Sequence, residues 1–149
     1  MAFGMKNILQ GGLANNYSEA STEELTKEYG IYLMDDETIQ MGFKLVRDSL
    51  IFTNRRIIFT DKQGATGQKM RVISINLYSI VNVTMETAGF GIDDSELTFT
   101  YISTPDMKAH ALEYASHKLE FPKKYNIQSL YKILQELAYE NCLRLNNLS

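Results

Sequence analysis

The stretch Asp48 to Thr87, DSLIFTNRRIIFTDKQGATGQKMRVISINLYSIVNVTMET, leaves the chain few ways to fold. Leu50-Ile51-Phe52-Thr53 and Ile57-Ile58-Phe59-Thr60 are β-branched and aromatic runs separated only by Asn54-Arg55-Arg56, which is a hairpin signal. Gly64 and Gly67 then stand where a turn can use positive φ, so the chain reverses again into Met70–Ile75. Three consecutive antiparallel strands form a meander, and a meander needs another layer against it. These strands are apolar on both faces, whereas a sheet with one wet face alternates, so a second covering layer or a partner is expected.

The flanks extend the pattern. Ile39, Met41, Phe43 and Leu45 alternate with Gln40, Gly42 and Lys44, giving a half-buried strand over 38–46. Leu77-Tyr78-Ser79 interrupts the period, Val81, Val83 and Met85 resume it, and Leu97, Phe99 and Tyr101 alternate next. Thr104-Pro105-Asp106 is a turn because proline fixes φ and lacks a donor, and Ala111–Phe121 forms a seventh, polar-rich strand. Ile127, Leu130, Tyr131, Leu134, Leu137, Ala138 and Cys142 recur at helical spacing behind Asn126, an expected N-cap, giving a helix over 127–145 about 28 Å long. Ser21-Thr22-Glu23-Glu24 starts a shorter helix that ends near Tyr29. The reading is a mainly β (α+β) chain with strands over about 38–121, a C-terminal helix, and a helical extension over 1–30 ahead of a domain over 31–145.

Asp48 followed by IFTNRR, then FTDKQGATG, LYSI and ETAGF ahead of a Ser-Glu-Leu strand, resembles the bacterial pleckstrin-homology domain family, long labelled a domain of unknown function. The resemblance runs from about Ser21 to about Tyr139. It implies a PH-like seven-stranded antiparallel barrel or sandwich capped by the C-terminal helix, and ring-shaped oligomers such as similar bacterial proteins form.

Composition narrows the function. The 149 residues suit one core that buries roughly two thirds of the unfolded surface. A net charge of −3 speaks against a general nucleic-acid or anionic-membrane binder. Cys142 is the single cysteine, so neither a disulfide within the chain nor a multi-cysteine metal site forms, and it reads as a buried inert thiol. No run of about 18 apolar residues occurs and the N-terminus lacks a signal-peptide core, which makes a cytoplasmic location the default. Residues 1–17 carry a short apolar patch, Ile8, Leu9 and Leu13, broken by Gly11-Gly12, which orders only by docking on something.

Enzyme signals are weak, and neither catalytic residues nor a cofactor is expected. Asp35-Asp36-Glu37 and Asp93-Asp94 fall in turns, His110 and His117 would face opposite sides of one strand, and no Walker, GxGxxG, HExxH or GxSxG pattern occurs. Seven of the 15 basic residues lie in or beside the meander, which nominates Lys44, Arg47, Arg55, Arg56, Lys69 and Arg71 as an anion-binding set. Phosphoinositide-binding members of the wider superfamily use a long basic loop between their first two strands, and here that connection holds little beyond Arg47. Seven of the 18 acids lie between Glu19 and Glu37, read as a solvated face or a surface that meets a basic one on another subunit. Self-association accounts for more of the pattern, with Ile51, Ile57, Ile73 and Ile75 as interface candidates. The chain is therefore expected to partner itself or a further protein, but not nucleic acid.

Overall fold

The computed structural model describes residues 20–44, 48–66, 68–89, 94–121 and 125–148. Seven antiparallel strands in two sheets are followed by a C-terminal helix. The described residues fall into two compact units that divide between Leu77 and Tyr78.

The first unit opens with helix α1 (Thr22–Tyr29), whose N-cap Ser21 accepts a hydrogen bond from the Glu24 amide. Its sheet has the order β1 (Ile39–Lys44), β2 (Asp48–Thr53), β3 (Arg56–Gln63), β4 (Lys69–Asn76). Gly64 makes the β3–β4 turn at φ 81°, where a side chain would be strained. Gly67 lies outside the described residues.

Strand alternation and register sort this sheet into two faces. Helix α1 lies on one of them, where Leu25 and Tyr29 form a buried cluster with Ile39, Ile51 and Ile58, joined by Leu33, Met70 and Val72. The Tyr29 hydroxyl meets the Ser49 hydroxyl at 3.0 Å, which satisfies both groups in a buried setting. On the opposite face Phe43, Leu50, Phe52, Ile57 and Ile75 are buried as well. The doubly apolar strands thus have a covering layer within the chain on the α1 side.

Gly42 sets how closely that helix can approach. A Cβ at this position would collide with Leu25 Cδ1 and would stand 3.2 Å from the Leu50 carbonyl oxygen. The carbonyl belongs to a neighbouring strand and cannot retreat. Gly42→Ala is therefore expected to lower stability by about 2 kcal/mol, read as a shift of the urea midpoint with the slope unchanged.

The second unit carries β5 (Ile80–Glu86), β6 (Ser95–Ile102) and β7 (Tyr114–Phe121), in that order, with helix α2 (Ile127–Leu145) packed mainly on β5. The last strand is shorter than the 111–121 of the sequence reading, because residues around Ser103–Glu113 close a turn through the Ser103 amide and the Glu113 carbonyl. Helix α2 has the expected bounds, but Asn126 makes no side-chain cap; its amide donates to the Ser129 hydroxyl. The buried stripe is also rotated: Ile133 and Asn141 are buried, while Tyr131 and Cys142 are only half-buried. Asn141 Nδ2 donates to the Ile80 carbonyl at 2.8 Å, and Arg144 Nη2 donates to the Tyr78 carbonyl and to Asn141 Oδ1. The Cys142 thiol points to the Val81 carbonyl at 3.5 Å.

Candidate functional site

The first unit concentrates the charged side chains from which the sequence reading assembled a site, and most of them are occupied. Glu37 is the centre. The turn before β1 places Asp36 at φ 61°, a conformation a short polar side chain tolerates, and Asn54 of the β2–β3 hairpin holds that turn. Asn54 Nδ2 donates to the Asp36 carbonyl, its Oδ1 accepts from the Thr38 amide, and its own amide donates to the Thr38 carbonyl.

The Glu37 side chain is thereby turned inward and has no exposed surface. Its Oε1 accepts from the Met34 amide at 2.9 Å and from Arg56 Nη2 at 2.9 Å. Its Oε2 accepts from the Thr53 hydroxyl at 2.7 Å and from Arg56 Nε at 2.8 Å. Arg56 also donates from Nη2 to the Tyr32 carbonyl and from Nη1 to the Ser74 hydroxyl, each at 2.6 Å. Burial by itself would raise the Glu37 pKa, but the Arg56, Met34 and Thr53 donors outweigh it and hold the carboxyl at about 2.

The sign of the linkage follows. A carboxyl depressed in the folded state adds stability above its unfolded pKa of about 4.3, and that stability is lost as pH falls toward 2. Glu37→Gln would leave the Arg56 charge buried and unpaired, and is expected to cost on the order of 3 kcal/mol at neutral pH. The variant should also lose much of the wild-type decline in urea midpoint between about pH 4.3 and 2; an undiminished decline would place the acid sensitivity elsewhere.

The proposed anion set does not converge. Lys44 and Arg56 project from the α1 face of the sheet and Lys69 and Arg71 from the opposite face, while Arg55 lies in the hairpin. Arg47 lies outside the described residues. Lys44 Nζ is bound to Glu24 and Glu28 of α1 at 3.0 and 2.7 Å, which raises its pKa, chiefly through the Glu28 hydrogen bond. Arg71 pairs with Asp61 at 3.2 Å, and Lys62 reaches Glu28 at 3.9 Å. Arg56, with four donor contacts to its own chain, has no fork to offer a phosphate. Among the described residues, Arg55 and Lys69 are the two members of the set that face no carboxylate at ion-pair distance.

Of the acidic first third, Glu24, Glu28 and Glu37 pair with cations of their own chain, while Glu23, Asp35 and Asp36 are exposed. The interface candidates fare differently from one another. Ile51, Ile57 and Ile75 are buried within the chain, and Ile73 alone keeps part of its side chain accessible. What stands open among the described residues is instead at the rim, where each sheet ends in strands with one neighbour. Strands β1 and β5 are interrupted by register shifts, whereas β4 and β7 run eight residues each without one.

Among the described residues no group of three His, Cys, Asp or Glu side chains could hold a metal ion. A shallow depression on α2 is lined by Gln135, Glu136, Tyr139 and Glu140, with no cation or histidine. His117 packs its ring on Phe99 at 5.8 Å. No helix among the described residues is long and apolar enough to cross a membrane.

Comparison with known proteins gives a consistent picture. The sequence profile for the bacterial PH domain matches residues 8–138. The chain is 37% identical over 123 residues to the protein YjqA of Bacillus subtilis strain 168, covering 83% of this chain and 92% of that one. A pleckstrin homology domain from Shewanella amazonensis SB2B superposes with a TM-score of 0.61 at 32% identity, over 91% of this chain and 98% of the other. A DUF1696-family protein with a pleckstrin-homology domain from Shewanella loihica PV-4 gives 0.59 at 30%, over 80% and 95% of the two chains.

Proposed function

Since the chain belongs to the bacterial PH domain family, we propose that it is a non-enzymatic binding and scaffolding module that assembles with copies of itself through the edges of its sheets, closing into a ring. The observation that carries this reading is the edge of β7, uninterrupted among the described residues. An edge strand presents backbone donors and acceptors to any chain that can lie beside it, and short length, bulges or proline are the usual protections. Strand β7 has neither a bulge nor a proline. Tyr114, at the start of β7, adds a large side chain that is 59% exposed. Head-to-tail contacts of this kind end in a closed ring when the rotation between copies permits it, and in fibres when it does not.

The internal pairing of Lys44, Arg56 and Arg71 works against the alternative of a lipid or phosphate headgroup bound across the meander. Native mass spectrometry at physiological salt tests the proposal. It is expected to return one closed oligomer with no retained small molecule, and a monomer at micromolar concentration would remove self-assembly from the reading.

A further inference from the structure

The outer edge of β4 is bordered by two surfaces of different chemistry. On the α1 face Met70 and Val72 are half-buried against the cluster around Leu25 and Tyr29. Beside them lies the segment that follows α1. The Arg56 guanidinium holds the Tyr32 carbonyl and the Ser74 hydroxyl at once, so Tyr32 sits over the C-terminal half of β4. That segment displays Ile31 at 83% exposure, Tyr32 at 40% and Met34 at 46%. Its backbone is fixed, because the Tyr32 carbonyl and the Met34 amide are both held by the buried ion pair. On the opposite face β4 presents Lys69 and Arg71, both exposed. Arg71 is 62% exposed and keeps guanidinium donors beyond its contact with Asp61. Arg55 stands at the far end, where its carbonyl receives the Leu77 amide.

A strand laid along this edge would alternate its side chains between the two surfaces. We infer that the β4 edge accepts an extended segment of a partner protein in which apolar residues alternate with acidic ones. The apolar side chains lie on Met70, Val72 and the Ile31–Tyr32 shelf. The carboxylates face Lys69 and Arg71, and the backbone completes the ladder as a fifth strand. A second copy of this chain fits the edge less well, since the strands β1 and β5 carry no such alternation of acid and apolar residues and β7 carries it only over Leu119-Glu120-Phe121, where both apolar side chains are buried. The inference rests on the reading of the chain as a binding module and not on its self-assembly.

The test uses a fluorescein-labelled octapeptide alternating glutamate and valine, titrated with the full-length protein and followed by anisotropy. Saturable binding at about 100 µM or tighter is expected, weakened about tenfold by Lys69→Glu with Arg71→Glu and several-fold by Ile31→Ser. All three positions are exposed, so the variants should retain the fold, which circular dichroism checks. A peptide with lysine for glutamate, and one with proline for valine, which lacks the ladder donors, should not bind. Absence of binding at about 1 mM, equal binding of the lysine or proline peptide, or indifference to the charge reversals would overturn the inference. So would a fall in native mass on Lys69→Glu with Arg71→Glu, which would assign the edge to a second copy. A monomer that binds the peptide upholds the inference while removing self-assembly, and an oligomer that ignores it does the reverse.

Discussion

The contact between Glu37 and Arg56 governs how the first unit is put together. It joins three segments far apart in sequence: the turn before β1, the start of β3, and β4 through the Ser74 hydroxyl. A buried carboxylate is tolerable only when its lone pairs are filled, and here Thr53 and the Met34 amide complete what the guanidinium begins. The same guanidinium fixes the Tyr32 carbonyl, so the chain leaving α1 is delivered to the sheet at one position. Helix α1 can then settle because Gly42 leaves room for Leu25, and Tyr29 finds the Ser49 hydroxyl beneath it.

The charges of this unit consequently serve its own construction. Acids of α1 bind Lys44, the turn binds Arg56, and Asp61 binds Arg71. Pairs exposed to solvent contribute little to stability, about 1 kcal/mol or less each, but they remove the cations from competition for an outside anion. With the apolar α1 face covered and most of the cations paired, the groups among the described residues still open to a partner include the backbone amides and carbonyls at the sheet rim. That is why recognition through a strand edge suits this chain better than recognition of a headgroup.

Much of this was legible in the sequence. The seven strands follow from local signals, β-branched runs ended by Asn54-Arg55-Arg56, Gly64 and Pro105, and these need no knowledge of distant partners. The Ser21 cap and the bounds of α2 are local in the same sense. The role of Glu37 was not legible, because it sits in an acidic run beside two exposed aspartates while its partner lies 19 positions away. Nor was the division of the cations. Alternation puts Lys69 and Arg71 on one face of their own strand, but which face that is relative to Arg56 depends on the pairing of Arg56 with Asn76. Asn141 escaped for a related reason: an asparagine within an apolar stripe looks out of place until the Ile80 carbonyl is set opposite it.

Helix α1 covers one face of the four-stranded sheet, while the outer edge of β4 stays available among the described residues. Residue-resolved amide hydrogen exchange measures this directly, because in an antiparallel edge strand alternate amides point into the ladder and away from it. Protection along Lys69–Asn76 is expected to alternate, slow and fast, while β3 is protected throughout. Uniform slow exchange along β4 in the free protein would contradict it, since the edge would then already be covered.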